Sequence, residues 1–328
     1  MQGIQKYFRI ISFLALIFIM GSISAQTLDE ARTLYNEGGT AAQEGNIELA
    51  IQKFNECISI CEKLYEDEED LDAESLMISL QPKIPKLYYQ LSISKMKEKD
   101  VAAGIENARM AKETAAQYND EETLQKSKEL LGKIHYSIAL SKYKAEKMDE
   151  AIAELDKAIA ESNDLKAYNL KLVILKDGSQ SDLLLETAKA AISAAEAEKD
   201  VDSKEKFIQL AATYFYNAGV LAKQSSNYDE ALKNIRTSLK FNSENADAYF
   251  LLTDIYNSQS DWENAISSGN EGLKYEASDS QARFYYELGN AYYGNGDNAA
   301  ACEAYSKAAV GEYAENAKYQ MEYVVKCE

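Results

Sequence analysis

The sequence predicts an all-α fold built from repeated pairs of antiparallel helices. Two observations support this prediction: the composition favours helices, and small residues recur at fixed positions along the chain. The 328 residues include only 2 prolines, and the helix formers Ala, Glu, Lys and Leu are abundant throughout. No disordered low-complexity tract stands out.

Six units share a column of small residues that opens a helix, formed by Ala50, Gly104, Ala151, Ala231, Ala265 and Ala301. The residue 16 positions earlier is bulky in each unit: Leu34, Tyr88, His135, Phe215, Tyr249 and Tyr285. The residue 12 positions earlier is small in each unit: Gly38, Ser92, Ala139, Gly219, Thr253 and Gly289. The residue 7 positions later is small as well: Cys57, Ala111, Ala158, Ser238, Gly272 and Ala308. Because small residues let two backbones approach closely, these columns predict packed helix pairs.

The helices of a pair are joined by a short turn, which in the last unit is Asn295-Gly296-Asp297. Asp297, Asp261 and Asn227 are predicted N-caps, since their side-chain oxygens accept hydrogen bonds from the first turn of a helix. Gly296 is predicted to form the turn, and it lacks the strand–turn–helix context of a phosphate-binding loop.

These columns resemble the tetratricopeptide repeat. The best match is "FYYELGNAYYGNGDNAAACEAYSKAA", in which the signature residues are Tyr285, Leu288, Gly289, Tyr292, Gly296, Ala301, Tyr305 and Ala308. The last three helix-opening residues are 34 and 36 positions apart, against 34 in the family. The resemblance is best over 210–310 and extends to 31–61 and 132–161. It implies a right-handed α-solenoid of about six to seven repeats over 26–328.

Other spacings depart from the family. The intervals of 54, 47 and 80 residues before Ala231 predict longer helices or inserted loops, with one degenerate unit near 168–191. The segment after Ala309 lacks a second helix, and it is predicted to be a C-terminal capping helix over 312–328.

The resemblance also implies a concave groove, lined by the first helices, that binds an extended peptide or a partner helix. In the last three units the predicted groove residues are Tyr216, Asn217, Phe250, Asp254, Tyr286, Asn290 and Tyr293. Tyrosine suits such a surface because it combines a large apolar ring with a polar tip. The alternative is that these aromatic residues only pack the helices together.

Charges near the groove indicate the partner. Asp254 and Glu287 lie there with only Lys223 and Arg283 nearby, so a clamp for a peptide carboxylate is not supported. A neutral or basic protein or peptide partner is expected instead. The net charge of −19 makes nucleic acid a poor partner, because such a surface repels phosphates.

Residues 1–25 have the pattern of a secretory signal peptide. Lys6 and Arg9 precede the apolar run Ile10 to Met20, and small residues follow, with cleavage expected after Ser24 or Ala25. The alternative is an uncleaved anchor. The pattern is typical of an exported bacterial protein, periplasmic or secreted, without stable membrane insertion after cleavage.

Few residues suggest catalysis, metal or cofactor binding. His135 is the only histidine and stands in a core column, and no nucleophile motif is present, so neither an enzyme nor a cofactor is predicted. The acidic runs 65–75 and 177–182 are interpreted as solvated linkers or loops, with a calcium site as the alternative.

The four cysteines suggest two different roles. Cys57 and Cys61 are one helical turn apart and are expected to pack as free thiols. Cys302 and Cys327 lie on helices predicted to run antiparallel, so a disulfide between them is a hypothesis.

The function expected from these patterns is a protein–protein interaction scaffold or adaptor in the cell envelope. The alternative is a small-ligand-binding or sensory accessory module of the periplasm.

Overall fold

The computed structural model describes residues 27–327, and every regular element in that range is helical. The predicted class, an all-α solenoid of antiparallel helix pairs, is confirmed. The chain divides into two compact units, residues 1–167 and 168–328. The described part of unit 1 contains α1 (Leu28–Gln43), α2 (Ile47–Glu68), α3 (Leu71–Leu80), α4 (Ile84–Lys97), α5 (Val101–Gln117), α6 (Glu121–Lys144) and α7 (Met148–Ser162).

The boundary between the two units falls within helix α8 (Leu165–Asp177), and α9 (Ser181–Ala197) follows α8. The rest of unit 2 contains α10 (Val201–Gln224), α11 (Tyr228–Phe241), α12 (Ala246–Ser258), α13 (Trp262–Gly272), α14 (Ala282–Gly294), α15 (Asn298–Ala308) and α16 (Ala314–Tyr319). Within the units, the pairs α1/α2, α4/α5, α6/α7, α10/α11, α12/α13 and α14/α15 pack extensively.

The columns of small residues lie where the helices of a pair meet. The alanines that open the second helices are fully buried, at 0% exposure. In α4, the Ser92 hydroxyl donates a 2.7 Å hydrogen bond to the carbonyl of Gly104 in α5. A Cβ atom on Gly219 would lie 2.4 Å from Cδ1 of Ile235 in α11. The close approach predicted from the columns is therefore confirmed.

A recurring turn joins the helices of most pairs. The residue before the N-cap has a positive φ, as at Ser226 (57°), Ser260 (60°) and Gly296 (85°). Asp297 Oδ1 then accepts a 3.0 Å hydrogen bond from the backbone N–H of Ala300, as predicted. Asp261 and Asn227 cap α13 and α11 in the same way.

The irregular spacings in unit 1 come from helix length and from one extra helix. Helices α2 and α6 have 22 and 24 residues, and α3 is inserted before α4. The interpretation of residues 65–75 as a loop was wrong. The run ends α2 and begins α3, with Asp70 as the N-cap, because Asp70 Oδ1 accepts from the N–H groups of Asp72 and Ala73. The predicted degenerate unit corresponds to α8 and α9.

The segment 311–327, which we call the cap, is covalently attached to the last pair. Helix α16 follows a single 3₁₀ turn and continues into a π-helical turn over Gln320–Val325. Cys302 of α15 and Cys327 form a disulfide with a Cα–Cα distance of 5.7 Å. Cys57 and Cys61 are free and buried, as expected.

The predicted signal peptide, residues 1–25, lies outside the described residues. None of the helices described over 27–327 is long and apolar enough to cross a membrane.

Candidate interaction face

Helices α10, α12 and α14 are the first helices of the last three pairs, and they pack in order within unit 2. We call the surface that they share the first-helix face. All seven residues predicted for a groove lie on these three helices: Tyr216, Asn217, Phe250, Asp254, Tyr286, Asn290 and Tyr293. Four are exposed or half-buried aromatic residues, and two of the polar ones, Asp254 and Asn290, take part in contacts within the fold.

An ion pair joins α10 to α12. The Lys223 ammonium donates to a carboxylate oxygen of Asp254, and both side chains are a little under one-third exposed. The pair fixes the position of Asp254 and neutralises much of its charge. Asp254 is therefore less available to a partner than the sequence suggested.

A buried carboxyl group joins α12 to α14. The Asn257 Nδ2 donates hydrogen bonds to the backbone oxygen of Glu287 (2.9 Å) and to its Oε2 (2.8 Å). Asn290 Nδ2 donates to the same Oε2 at 3.2 Å. Burial nevertheless raises the pKa of Glu287 above its usual value, and the nearby Asp254 raises it further.

The second helix of the last pair, α15, holds the amide of Asn290 in place. The Tyr305 hydroxyl in α15 donates a 2.7 Å hydrogen bond to Asn290 Oδ1. Burial strongly raises the pKa of Tyr305, so the phenol is the neutral donor at physiological pH. The polar tip of Asn290 is thus largely used within the fold.

The aromatic side chains of α12 and α14 are braced by neighbours. The Phe250 ring packs edge-on against Phe284, with a centroid separation of 5.5 Å, and the Arg283 guanidinium lies 4.9 Å from the Phe250 centroid. The Tyr286 ring packs 5.8 Å from Tyr305 and 5.5 Å from Tyr313 of the cap. These rings are already fixed before any partner binds.

Arg283 is itself paired with two carboxylates. Its guanidinium donates to Glu276 Oε2 from Nε at 2.8 Å and lies 2.7 Å from Asp247 Oδ1. These bonds raise the pKa of Arg283, against the effect of its partial burial. Burial, with Asp247 nearby, raises the pKa of Tyr216. The first-helix face therefore carries more carboxyl groups than cations.

Exposure and contacts separate the predicted residues into three groups. Asn217 is exposed and Tyr293 is 41% exposed, so both present their side chains to solvent. Tyr216, Phe250 and Tyr286 are half-buried and present part of a ring. Asp254 and Asn290 are engaged in the contacts described above.

Sequence reasoning missed two residues that hold the face in place, Asn257 and Tyr313. Asn257 lies on the same helical stripe as Phe250 and Asp254, so helical periodicity carried a signal for it. Tyr313 belongs to the cap, and the repeat pattern contains nothing that places its ring against Tyr286.

His135 is a core residue, as expected. It is 9% exposed, and its Nδ1 lies 2.6 Å from Oε2 of Glu154 in the paired helix. Across the described part of the chain, His, Cys, Asp and Glu form no group of three or more that could hold a metal ion.

Family models for the tetratricopeptide repeat match residues 216–282, and also residues 31–64 and 282–309. The chain contains tetratricopeptide repeats in these segments. The matched segments contain the repeats that sequence analysis found most regular, and they include most of the first-helix face. Tetratricopeptide repeats serve as interaction modules, which supports a role in protein–protein interaction.

Several solved structures are similar to this chain. One is MamA from Desulfovibrio magneticus, with 16% identity over 54% of this chain and 93% of that one, at a TM-score of 0.29. Another is a tetratricopeptide repeat protein from Parabacteroides merdae, with 11% identity over 90% and 98%, at a TM-score of 0.29. A third is the TPR2AB domain of yeast Sti1 in complex with pHSP90, with 16% identity over 90% and 95%, at a TM-score of 0.31. Comparison with curated proteins gave no match.

Proposed function

We propose that this protein is an interaction scaffold or adaptor that binds a peptide or helix of a neutral or basic partner on its first-helix face. One observation supports this most directly: aromatic rings on three successive helices lie beside an excess of carboxyl groups. Tyr216, Phe250 and Tyr286 are the proposed apolar anchors, and the exposed Asn217 and Tyr293 extend the contact surface.

The braced rings lower the entropic cost of binding. Phe250 is held by Phe284 and Arg283, and Tyr286 is held by Tyr305 and Tyr313. A partner that lies across such a surface needs to immobilise few side chains of this chain. Buried aromatic residues near the centre of an interface commonly contribute most of its binding energy.

The charge of the face favours partner segments of the opposite charge. The nearby cations are Lys223 and Arg283, and the carboxyl groups outnumber them: Asp247 and Asp254 on α12, Glu287 on α14, and Glu276 in the loop before α14. The remaining negative potential attracts Lys- or Arg-containing segments and repels acidic ones, mainly through the association rate. Binding should therefore weaken as salt is added.

We propose further that the protein is exported and acts in the periplasm or outside the cell. The signal-peptide pattern of residues 1–25 supports this, and so does the disulfide between Cys302 and Cys327, which is typical of oxidising compartments.

A peptide-display selection on the full chain tests the proposed binding mode. The selected peptides should be neutral or basic, and the double variant Tyr216→Ala/Tyr293→Ala should bind them about tenfold or more weakly. The matched control is Tyr319→Ala/Tyr323→Ala, which removes two tyrosines that are 58% and 65% exposed on the cap. Equal binding by both double variants, or a selection dominated by acidic peptides, would contradict the proposal.

A further inference from the structure

Unit 2 also has a concave surface away from the residues described for the first-helix face. It is a cleft of about 420 Å³ between α9, the first part of α10 and α11. Its lining residues are Leu185, Lys189, Ile192, Ser193, Glu196, Ile208, Thr237, Lys240 and Phe241. None of them belongs to the residues described for the first-helix face.

The floor of the cleft is apolar. Leu185 and Ile192 of α9, Ile208 of α10 and Phe241 of α11 are all half-buried. The Phe241 ring is fixed by stacking against Phe215, with a centroid separation of 6.3 Å and an interplanar angle of 6°. The cleft is large enough for one or two apolar side chains of a partner, but it is open to solvent along its length.

The rim of the cleft is positively charged, unlike most of this acidic chain. Lys189 on α9 and Lys240 on α11 are exposed, and neither forms an ion pair with any residue of the described range 27–327. Glu196 is the acid in the lining, and its Oε1 is paired with Lys204 Nζ at 2.7 Å. On the first-helix face, by contrast, Lys223 and Arg283 are both paired with carboxylates.

We propose that this cleft binds a short acidic segment of a partner protein. An apolar side chain of the segment occupies the floor beside Phe241, and flanking carboxylates lie against Lys189 and Lys240. The exposed Ser193 supplies a hydroxyl group for the segment's backbone. The Thr237 hydroxyl donates to the backbone oxygen of Lys233 at 2.8 Å, so it can only accept a hydrogen bond from the segment. Charge complementarity selects this occupant, because two unpaired ammonium groups on different helices of the lining, α9 and α11, match acids on both sides of an apolar anchor.

The two surfaces of unit 2 then have opposite charge preferences. The first-helix face prefers neutral or basic segments, and the cleft prefers acidic ones. A chain with both surfaces binds two chemically different partners at once, which extends a scaffold role to the bridging of two proteins. The cleft is lined by residues of its own, so its binding of an acidic segment does not depend on peptide binding by the first-helix face.

The test uses the full chain and two displayed libraries of short peptides. In one library Leu or Phe stands between Asp and Glu, and in the other every acid is replaced by Lys. Acidic peptides that compete with one another should be enriched, and Lys189→Glu/Lys240→Glu should bind them about tenfold or more weakly. The matched control is Lys97→Glu/Lys144→Glu, which places the same charge change on two exposed lysines of unit 1.

Three outcomes would overturn the proposal. The first is that acidic peptides are not enriched, or that both double variants bind them equally. The second is that Phe250→Ala abolishes their binding, which would assign them to the first-helix face. The third is that decanoate or anionic lipid vesicles bind the wild-type chain in a Lys189- and Lys240-dependent way while no peptide does.

Discussion

The phenol of Tyr305 donates a hydrogen bond of 2.7 Å to the amide oxygen of Asn290. This bond joins α15 to α14, which are the second and first helices of the last pair. Asn290 in turn donates to Glu287 at 3.2 Å, and Glu287 accepts from Asn257 of α12. The polar groups of the first-helix face are therefore oriented from inside the fold.

Replacing Tyr305 with Phe should lower the free energy of unfolding by about 1–2 kcal/mol, because Asn290 Oδ1 would be left without its donor. Tyr305 is 1% exposed, so solvent would not easily replace the lost hydroxyl. The measurement is chemical denaturation followed by circular dichroism. Tyr323→Phe, at a residue that is 65% exposed, is the control and should leave stability unchanged. Equal stabilities of the two variants would refute the role assigned to this bond.

Glu287 should make stability depend on pH. Its folded-state pKa is raised by burial, so its contribution is fully present below the unfolded pKa and is lost as pH rises through the folded pKa. Glu287→Gln keeps an oxygen that accepts from Asn257 and Asn290 but does not titrate. The difference in thermal midpoint, variant minus wild type, should therefore increase as pH rises from about pH 4 to about pH 8. Glu263→Gln, on an exposed residue, is the control. A constant difference between Glu287→Gln and wild type across this range would contradict the prediction.

Two adjacent glycines of α1 should respond in opposite directions to the same substitution. A Cβ on Gly38 would lie 2.6 Å from the Phe54 ring, whereas one on Gly39 meets nothing within 4 Å. Gly38→Ala should therefore destabilise unit 1 by about 1–3 kcal/mol. Gly39→Ala should stabilise it by about 0.5–1 kcal/mol, since alanine favours the helix. Thermal unfolding measures both, and changes of the same sign would contradict the packing assigned to the column of small residues.

The disulfide should stabilise the cap. Cys302 and Cys327 are 25 residues apart, and closing such a loop stabilises the folded state by about 3 kcal/mol. The variant Cys302→Ser/Cys327→Ser should lose protection from hydrogen exchange in the segment 311–327 first. A reducing agent should reproduce this loss in the wild type and have no effect on the variant. Unchanged exchange in this segment after either treatment would contradict the prediction.

The other two cysteines should stay unreactive in the folded chain. Cys57 and Cys61 are both buried, and burial raises the pKa of the Cys57 thiol to about 12. Since the thiolate is the nucleophile, iodoacetamide near neutral pH should label neither residue until denaturant is added. Mass spectrometry after labelling measures this, and modification of Cys57 in the native chain would contradict the assigned packing.

The repeat architecture was predictable because packing restricts residue size at fixed spacings. Gly38, Ser92 and Gly219 are small because a facing helix leaves no room for a larger side chain. That constraint can be recognised from a single sequence. The acidic run of 65–75 was misjudged because exposed helical residues carry no such constraint. Its helix boundary depends on Asp70, whose capping role resembles that of any loop aspartate.

The first-helix face was only partly predictable. Helical spacing placed Tyr216, Phe250 and Tyr286 on successive helices, but it could not show how Asp254 and Asn290 are occupied. Those contacts depend on Lys223 and Tyr305, which lie 31 and 15 residues away along the chain. The contact of Tyr313 with Tyr286 depends on the fold of the cap, outside the repeat pattern.

The most direct test of the proposed interaction face is site-specific photo-crosslinking in the cells that produce the protein. Asn217, which is exposed on α10, is replaced by a photoreactive phenylalanine, and Tyr319 of the cap is replaced in a matched control. We expect a discrete adduct from position 217 whose crosslinked segment is neutral or basic, and no such adduct from position 319. Absence of an adduct at 217, or the same adduct from both positions, would contradict it.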